Sequence, residues 1–275
     1  MFEAAGVESF VREDGEGEFV VCMHGVPSSS FLYRKVLPGL SSRGLRGVAF
    51  DLPGLGLASR PEDFNYSWSG LGAFSAAAVD ALGLERFHLV VHDIGGPVGF
   101  ELAAALPERI QSLTVLNTLV DVDGFKKPWS MRPFEKPAVA AMWLKGITRP
   151  GLRQLMKLQG IADMSAISSG ELDAYVGLLK REDGGKAFLR IMQSFETTAA
   201  KQELYRSVLA DARYPTQVVW GELDPALKID TFGEAAKAAA GVDTMHRLPA
   251  KHFLQEDQAD PIAELIAAFA SSSPS

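Results

Sequence analysis

Hydrophobic and polar positions along the chain follow two regimes. Up to residue 117, short continuous apolar runs alternate with stretches of helical character. Phe19 to Met23, Gly47 to Asp51, Phe87 to His92 and Leu113 to Asn117 read as strands. Ser30 to Leu40, Ser69 to Leu82 and Pro97 to Leu106 between them read as helices. Strands that are apolar throughout, rather than alternating, are buried on both faces, and helices between them imply a parallel sheet. After Asn117 the strand signal stops. Residues 121–213 are rich in helix formers and open on Lys127-Pro128-Trp129-Ser130-Met131-Arg132-Pro133. Strand character returns at Gln217 to Trp220 and, more weakly, at Thr244 to Leu248, and a last helix runs from Pro261 to about Phe269. The expected architecture is α/β: a mostly parallel sheet flanked by helices, formed by residues 1–120 and 214–275. A helical cap (121–213) is inserted over the carboxyl ends of the strands, where open α/β sheets place their ligands.

Composition narrows the partners. The 275 residues are 47% hydrophobic and 22% charged, enough apolar material for a large core. A net charge of −7 argues against a general nucleic-acid binder, which needs a basic face. The single cysteine, Cys22, lies in an apolar strand and reads as a buried, inert thiol. The start lacks the pattern of a secretory signal and no run reaches the roughly 20 apolar residues of a membrane span, so a cytoplasmic protein without membrane contact is expected. Five scattered histidines give no metal-ligand spacing. Gly54-Leu55-Gly56 lacks the third glycine of a dinucleotide loop, so no cofactor is expected.

The candidate chemistry sits at strand ends. Phe87 to Val91 leads into His92-Asp93-Ile94-Gly95-Gly96-Pro97 and then a helix, the strand–turn–helix context of a nucleophile elbow, with aspartate where serine is usual and Val91 in place of the first glycine. His24-Gly25-Val26-Pro27 follows the first strand, and its loop is placed to donate a backbone N–H from Val26 beside that of Ile94. Asp224 lies just past another strand in Trp220-Gly221-Glu222-Leu223-Asp224-Pro225, with Glu222 its nearest rival. His252 precedes the last helix. The chain order is nucleophile, acid, histidine: Asp93, Asp224, His252. Each also has a plainer reading, Asp93 as a helix-start acid and His252 as a structural ring, but their joint order favours chemistry. His24 and His92 read as structural.

These strings, with Asp51-Leu52-Pro53-Gly54-Leu55-Gly56-Leu57-Ala58-Ser59 and His252-Phe253-Leu254-Gln255-Glu256, resemble the α/β-hydrolases of the branch holding epoxide hydrolases and haloalkane dehalogenases. The resemblance covers essentially the whole chain and implies an aspartate nucleophile. Attack by a carboxylate on a saturated carbon gives an alkyl ester, which a His252-activated water then hydrolyses while Asp224 orients the ring. The backbone N–H groups of Val26 and Ile94 would stabilise the oxyanion.

The leaving group separates the two families. The resembling dehalogenases hold halide with a tryptophan after the nucleophile and a second N–H donor from the His-Gly-x-Pro loop or the cap. Here Ile94 and Val26 occupy the first two places and neither side chain donates, which leaves Trp129 or Trp143. The resembling epoxide hydrolases polarise the ring oxygen with two cap tyrosines, and Tyr175 and then Tyr205 are the candidates here. The expected function is hydrolysis of an epoxide, or a similar C–O bond at saturated carbon, in a small apolar substrate. Haloalkane dehalogenation with the same Asp-His-Asp set is the alternative. A natural-product isomerase or cyclase, or a ligand-binding protein on this fold, stands behind both.

Overall fold

A computed structural model describes residues 1–273. Among the described residues nine strands form: β1 (Phe2–Ala4), β2 (Val7–Ser9), β3 (Val11–Asp14), β4 (Glu18–Met23), β5 (Leu45–Phe50), β6 (Phe87–Asp93), β7 (Ile110–Thr118), β8 (Thr216–Gly221) and β9 (His246–Leu248). β1 and β2 make a small antiparallel pair; the other seven form one sheet in the order β3-β5-β4-β6-β7-β8-β9. Every pairing in that sheet is parallel except β3 with β5. The mostly parallel sheet is as the apolar runs predict. β1 to β3 are an addition, because three or four residues each, with charged neighbours, leave no continuous apolar run to read.

Each central strand divides its side chains between two cores. In β4, Val21 and Met23 join one apolar cluster and Val20 and Cys22 the other. That is the two-residue period of a strand packed on both faces. Full burial of such aliphatic side chains contributes about 1.5–3 kcal/mol each. The Cys22 thiol is fully buried, and burial drives its pKa upward, away from thiolate chemistry.

Helices Trp68–Ala81 and Gly95–Ala105 follow β5 and β6, and helix Ala259–Ser272 closes the described chain. The stretch expected as one helix from Ser30 forms instead as a 3-10 turn, Ser30–Lys35, running into helix Val36–Ser41. Ser29 caps it by accepting from the Phe31 N–H.

Between β7 and β8 the described chain contains helices and loops but no strand, the longer helices being Pro137–Lys145, Ser169–Lys180, Lys186–Gln193 and Ala199–Leu209. Ser168 and Glu171 start the second of these with a reciprocal capping box. Tyr205 of the last packs its ring on Phe100 of helix Gly95–Ala105, with centroids 5.5 Å apart, so the insertion is anchored on the sheet's own helices. No helix among the described residues is long and apolar enough to cross a membrane.

Candidate functional site

Asp93 ends β6 with a left-handed backbone, φ 54°, a conformation that costs a non-glycine residue about 1–3 kcal/mol and is held only when its surroundings impose it. Two close approaches impose it here. A Cβ on Gly25 would collide with the Asp93 carboxylate, and one on Gly96 would collide with the Thr118 hydroxyl. That hydroxyl donates to the Asp93 carbonyl. The turn thus aims the Asp93 side chain off the strand end and lets helix Gly95–Ala105 start directly behind it.

The carboxylate is fixed at both oxygens. Asp93 Oδ1 accepts the Val26 N–H at 2.7 Å, and Oδ2 lies 3.2 Å from His252 Nε2. Burial alone would raise the Asp93 pKa. The hydrogen bond and charge of His252, aided by the Ile94 N–H, outweigh burial and hold the carboxyl below its ordinary range. Of the two backbone groups expected here, the Val26 N–H meets the carboxylate directly, and that of Ile94 adds to the field that keeps it ionised.

His252 Nδ1–H donates to Asp224 Oδ2 at 2.7 Å. Asp224 is buried, and its other oxygen accepts the N–H groups of Ala226 and Leu227 at 2.8 and 3.0 Å. Asn117, at the end of β7, donates to Asp224 Oδ2 at 2.8 Å and accepts the Gly221 N–H at 2.7 Å, tying two strand ends together. Burial would lower the His252 pKa, but the two carboxylates pull it up to about 10, so the resting ring is an imidazolium between two anions. Glu222 makes no contact with the ring; it faces Arg247, with its carboxylate 3.6 Å away.

Both histidines read as structural lie behind this line. His92 Nε2–H donates to the His252 carbonyl at 2.8 Å, and burial, with the charge of His252, pushes its pKa down to about 3, so it supports as a neutral ring. His24 donates from Nδ1 to the Gly25 carbonyl and accepts the Leu52 N–H on Nε2, fixing its loop.

Asp93 and His252 open on a mainly apolar cavity. Ile94, Leu119, Met156, Met192, Phe195 and Phe253 supply much of its wall. Its other polar side chains are Lys127, Ser130 and Gln159, with the Ser130 hydroxyl donating to Gln159 Oε1 at 2.8 Å. Among the described residues no cluster of histidine, cysteine, aspartate and glutamate has metal-holding geometry.

The expected leaving-group residues are elsewhere. Tyr175 is buried against Phe31 and gives its hydroxyl to Glu256 Oε1 at 2.5 Å. Tyr205 gives its hydroxyl to Glu101 Oε1 at 3.0 Å. Neither of these expected proton donors lines the Asp93 cavity: each hydroxyl is committed to a carboxylate inside the packing. Trp129 and Trp143 line a neighbouring cavity instead, and the Trp143 N–H is taken by the Ser130 carbonyl at 3.1 Å. Sequence reasoning gave Asn117, Lys127 and Gln159 no role in the site. Asn117 carried a usable signal, a polar residue at the end of an apolar strand.

Comparison with known proteins gives several likenesses. A haloalkane dehalogenase of Mesorhizobium japonicum is 25% identical over 277 residues, covering 95% of this chain and 87% of that one. A cis-3-alkyl-4-alkyloxetan-2-one decarboxylase of Shewanella oneidensis is 34% identical over 171 residues, or 61% of this chain and 48% of that protein. The crystal structure of an epoxide hydrolase from Vigna radiata superposes with a TM-score of 0.79 at 23% identity, covering 98% of this chain and 96% of that one, which is a likeness of fold. The model of the alpha/beta hydrolase fold matches residues 18–259, and with the sheet order and strand-end loops described above, the chain belongs to the alpha/beta hydrolase family.

Proposed function

We propose that this hydrolase opens a C–O bond at saturated carbon, with an epoxide as the model substrate, through an ester on Asp93. The observation that carries the reading is the Asp93 carboxylate itself. It is an ionised carboxylate at a strained elbow, held by the Val26 N–H at 2.7 Å and facing an apolar cavity. An aspartate attacking an acyl group would form an anhydride, whereas attack on saturated carbon forms a stable alkyl ester.

Two half-reactions follow from the residues present. In the first, an Asp93 oxygen bonds to the carbon and the ring C–O bond breaks, its electron pair passing to the ring oxygen. In the second, His252 Nε2 takes a proton from water as the water attacks the ester carbonyl. The resulting oxyanion faces the Val26 and Ile94 N–H groups. The ester C–O bond then breaks, and the imidazolium returns its proton to the departing alkoxide. Asp224 holds the ring in the tautomer this exchange needs.

The oxygen leaving group is favoured over halide by what surrounds Asp93. Ile94 and Val26 offer no side-chain N–H, and the insertion's tryptophans lie outside the cavity. Loss of a donor to a developing anion costs about 10²–10³-fold in rate, taking an oxyanion hole as guide. The Shewanella relative, whose name gives it an oxetan-2-one as substrate, adds a strained oxygen ring among the likenesses. Dehalogenation is the second reading, favoured by the Mesorhizobium likeness along nearly the whole chain.

His252→Gln protein mixed with an epoxide should accumulate substrate mass on Asp93. Single-turnover hydrolysis in ¹⁸O-water that leaves Asp93 unlabelled would refute the ester. Faster turnover of bromoalkanes than of epoxides of similar size would select the second reading.

A further inference from the structure

We infer that Lys127 is the acid of the first half-reaction, donating a proton from Nζ to the leaving oxygen while Asp93 bonds to carbon. This deepens the aspartyl-ester reading and rests on it.

Three observations lead here. The reaction needs a donor in the cavity, and both expected tyrosines are spent on carboxylates elsewhere. Lys127 lines the same cavity as Asp93 and His252 and carries the only cationic side chain besides His252 on its wall. It is also poorly satisfied. The side chain is 10% exposed, yet among the described residues its three N–H donors meet one carboxylate oxygen, Glu135 Oε1 at 3.4 Å, and the face of Phe195, whose centroid is 4.2 Å away. A buried ammonium gains strongly from a better acceptor, and an alkoxide forming in an apolar site is one.

The position is built rather than incidental. Lys127 lies in the loop leaving β7, and its backbone carbonyl accepts Arg132 Nε at 3.0 Å, pinning the loop over the cavity. Burial pushes its pKa below the ordinary lysine value, against the pull of Glu135, which makes it a readier donor than an exposed lysine. The step balances: the Asp93–carbon bond forms, the ring C–O bond breaks, and the Nζ proton becomes the new hydroxyl hydrogen. Lys127 is left as a neutral amine and regains its proton from solvent before the next turnover.

The test isolates the first half-reaction in the His252→Gln background, where the ester persists. Asp93 labelling is followed by rapid quench and intact mass, with an epoxide and with a primary alkyl mesylate of the same chain length. Mesylate leaves without protonation, so it reports the nucleophile and the fold. Lys127→Met keeps the aliphatic stem against Phe195. It should slow epoxide labelling by about 10²–10⁴-fold, the usual worth of a positioned acid, and mesylate labelling by less than about tenfold. Unchanged epoxide labelling, or equal losses with both substrates, would overturn the assignment. Labelling by neither substrate while Lys127 is intact would overturn the aspartyl-ester reading beneath it, and the assignment with it.

Discussion

The charge state of His252 poses a problem that the site itself resolves. With its pKa raised to about 10, the ring is protonated at neutral pH and unable to take a proton from water. Two carboxylates cause this, however, and in the proposed mechanism only Asp224 survives the first half-reaction as an anion. Esterification neutralises Asp93, whose Oδ2 is 3.2 Å from His252 Nε2. Opposite unit charges with centres about 4 Å apart interact by about 4 kcal/mol at an effective dielectric near 20. An opposite charge at such range typically moves a pKa by about 1–3 pH units. The sign is fixed: losing the anion removes stabilisation of the imidazolium, so the pKa falls and the ring becomes a base when the ester exists. Asp93→Asn imitates the esterified state. Its His252 should titrate about 1–3 pH units lower than in the parent, toward neutrality. The assay is a ring-nitrogen NMR titration, with the His252 signal identified among the five histidines by its loss in His252→Gln. Ester hydrolysis in single turnover should rise with pH through the same lowered midpoint. A His252 midpoint that does not move on Asp93→Asn would refute the coupling, because the 3.2 Å contact would then carry no charge interaction.

Asp224→Asn should cost about 10⁴-fold in ester hydrolysis, since the amide stabilises the wrong tautomer of His252, whereas Glu222→Gln should leave the rate close to parental; equal, mild losses would refute the assignment. Gly96→Ala drives a methyl into the Thr118 hydroxyl that braces the elbow, so loss of Asp93 labelling is expected before loss of the far-ultraviolet signature of the sheet. Tyr175→Phe leaves Glu256 short of one buried hydrogen bond and should lower stability by about 1–3 kcal/mol in urea unfolding, while Asp93 labelling proceeds at the parental rate; slowed labelling at unchanged stability would return the tyrosine to the chemistry.

The proposed line of Asp93, His252 and Asp224 could be suggested from sequence because two of its members sit where sequence is most informative, at or just after the ends of apolar strands. Asp93, Asp224 and the Val26 loop each follow a run that leaves little choice about where the strand ends. The hydrogen bonds completing the line join residues 28 to 159 positions apart, and the order of the motifs sufficed to suggest them. Lys127 was illegible for the opposite reason. A Lys126-Lys127-Pro128 loop reads as solvated charge, and only the fold of the insertion shows that one of the two ammonium groups is turned onto Phe195 and into the cavity wall.

The tyrosines show a different limit. A tyrosine in an amphipathic helix looks the same in sequence whether its hydroxyl meets a substrate or a carboxylate, and Glu256 lies 81 residues from Tyr175. What decides is charge: the Glu256 side chain is fully buried, which an anion tolerates only with partners. Arg34 supplies two N–H groups at 2.7 and 2.8 Å, Lys35 an ammonium at 2.8 Å, and Tyr175 the remaining hydroxyl. Glu171, one helical turn before Tyr175, binds the same arginine. Arg34 and Lys35 belong to the 3-10 turn Ser30–Lys35, Tyr175 and Glu171 to helix Ser169–Lys180 between β7 and β8, and Glu256 to the short helix Leu254–Asp257 that follows His252. The cluster therefore clamps the insertion to the segment that carries the histidine. In this arrangement Tyr175 is a strut, its hydroxyl held by Glu256.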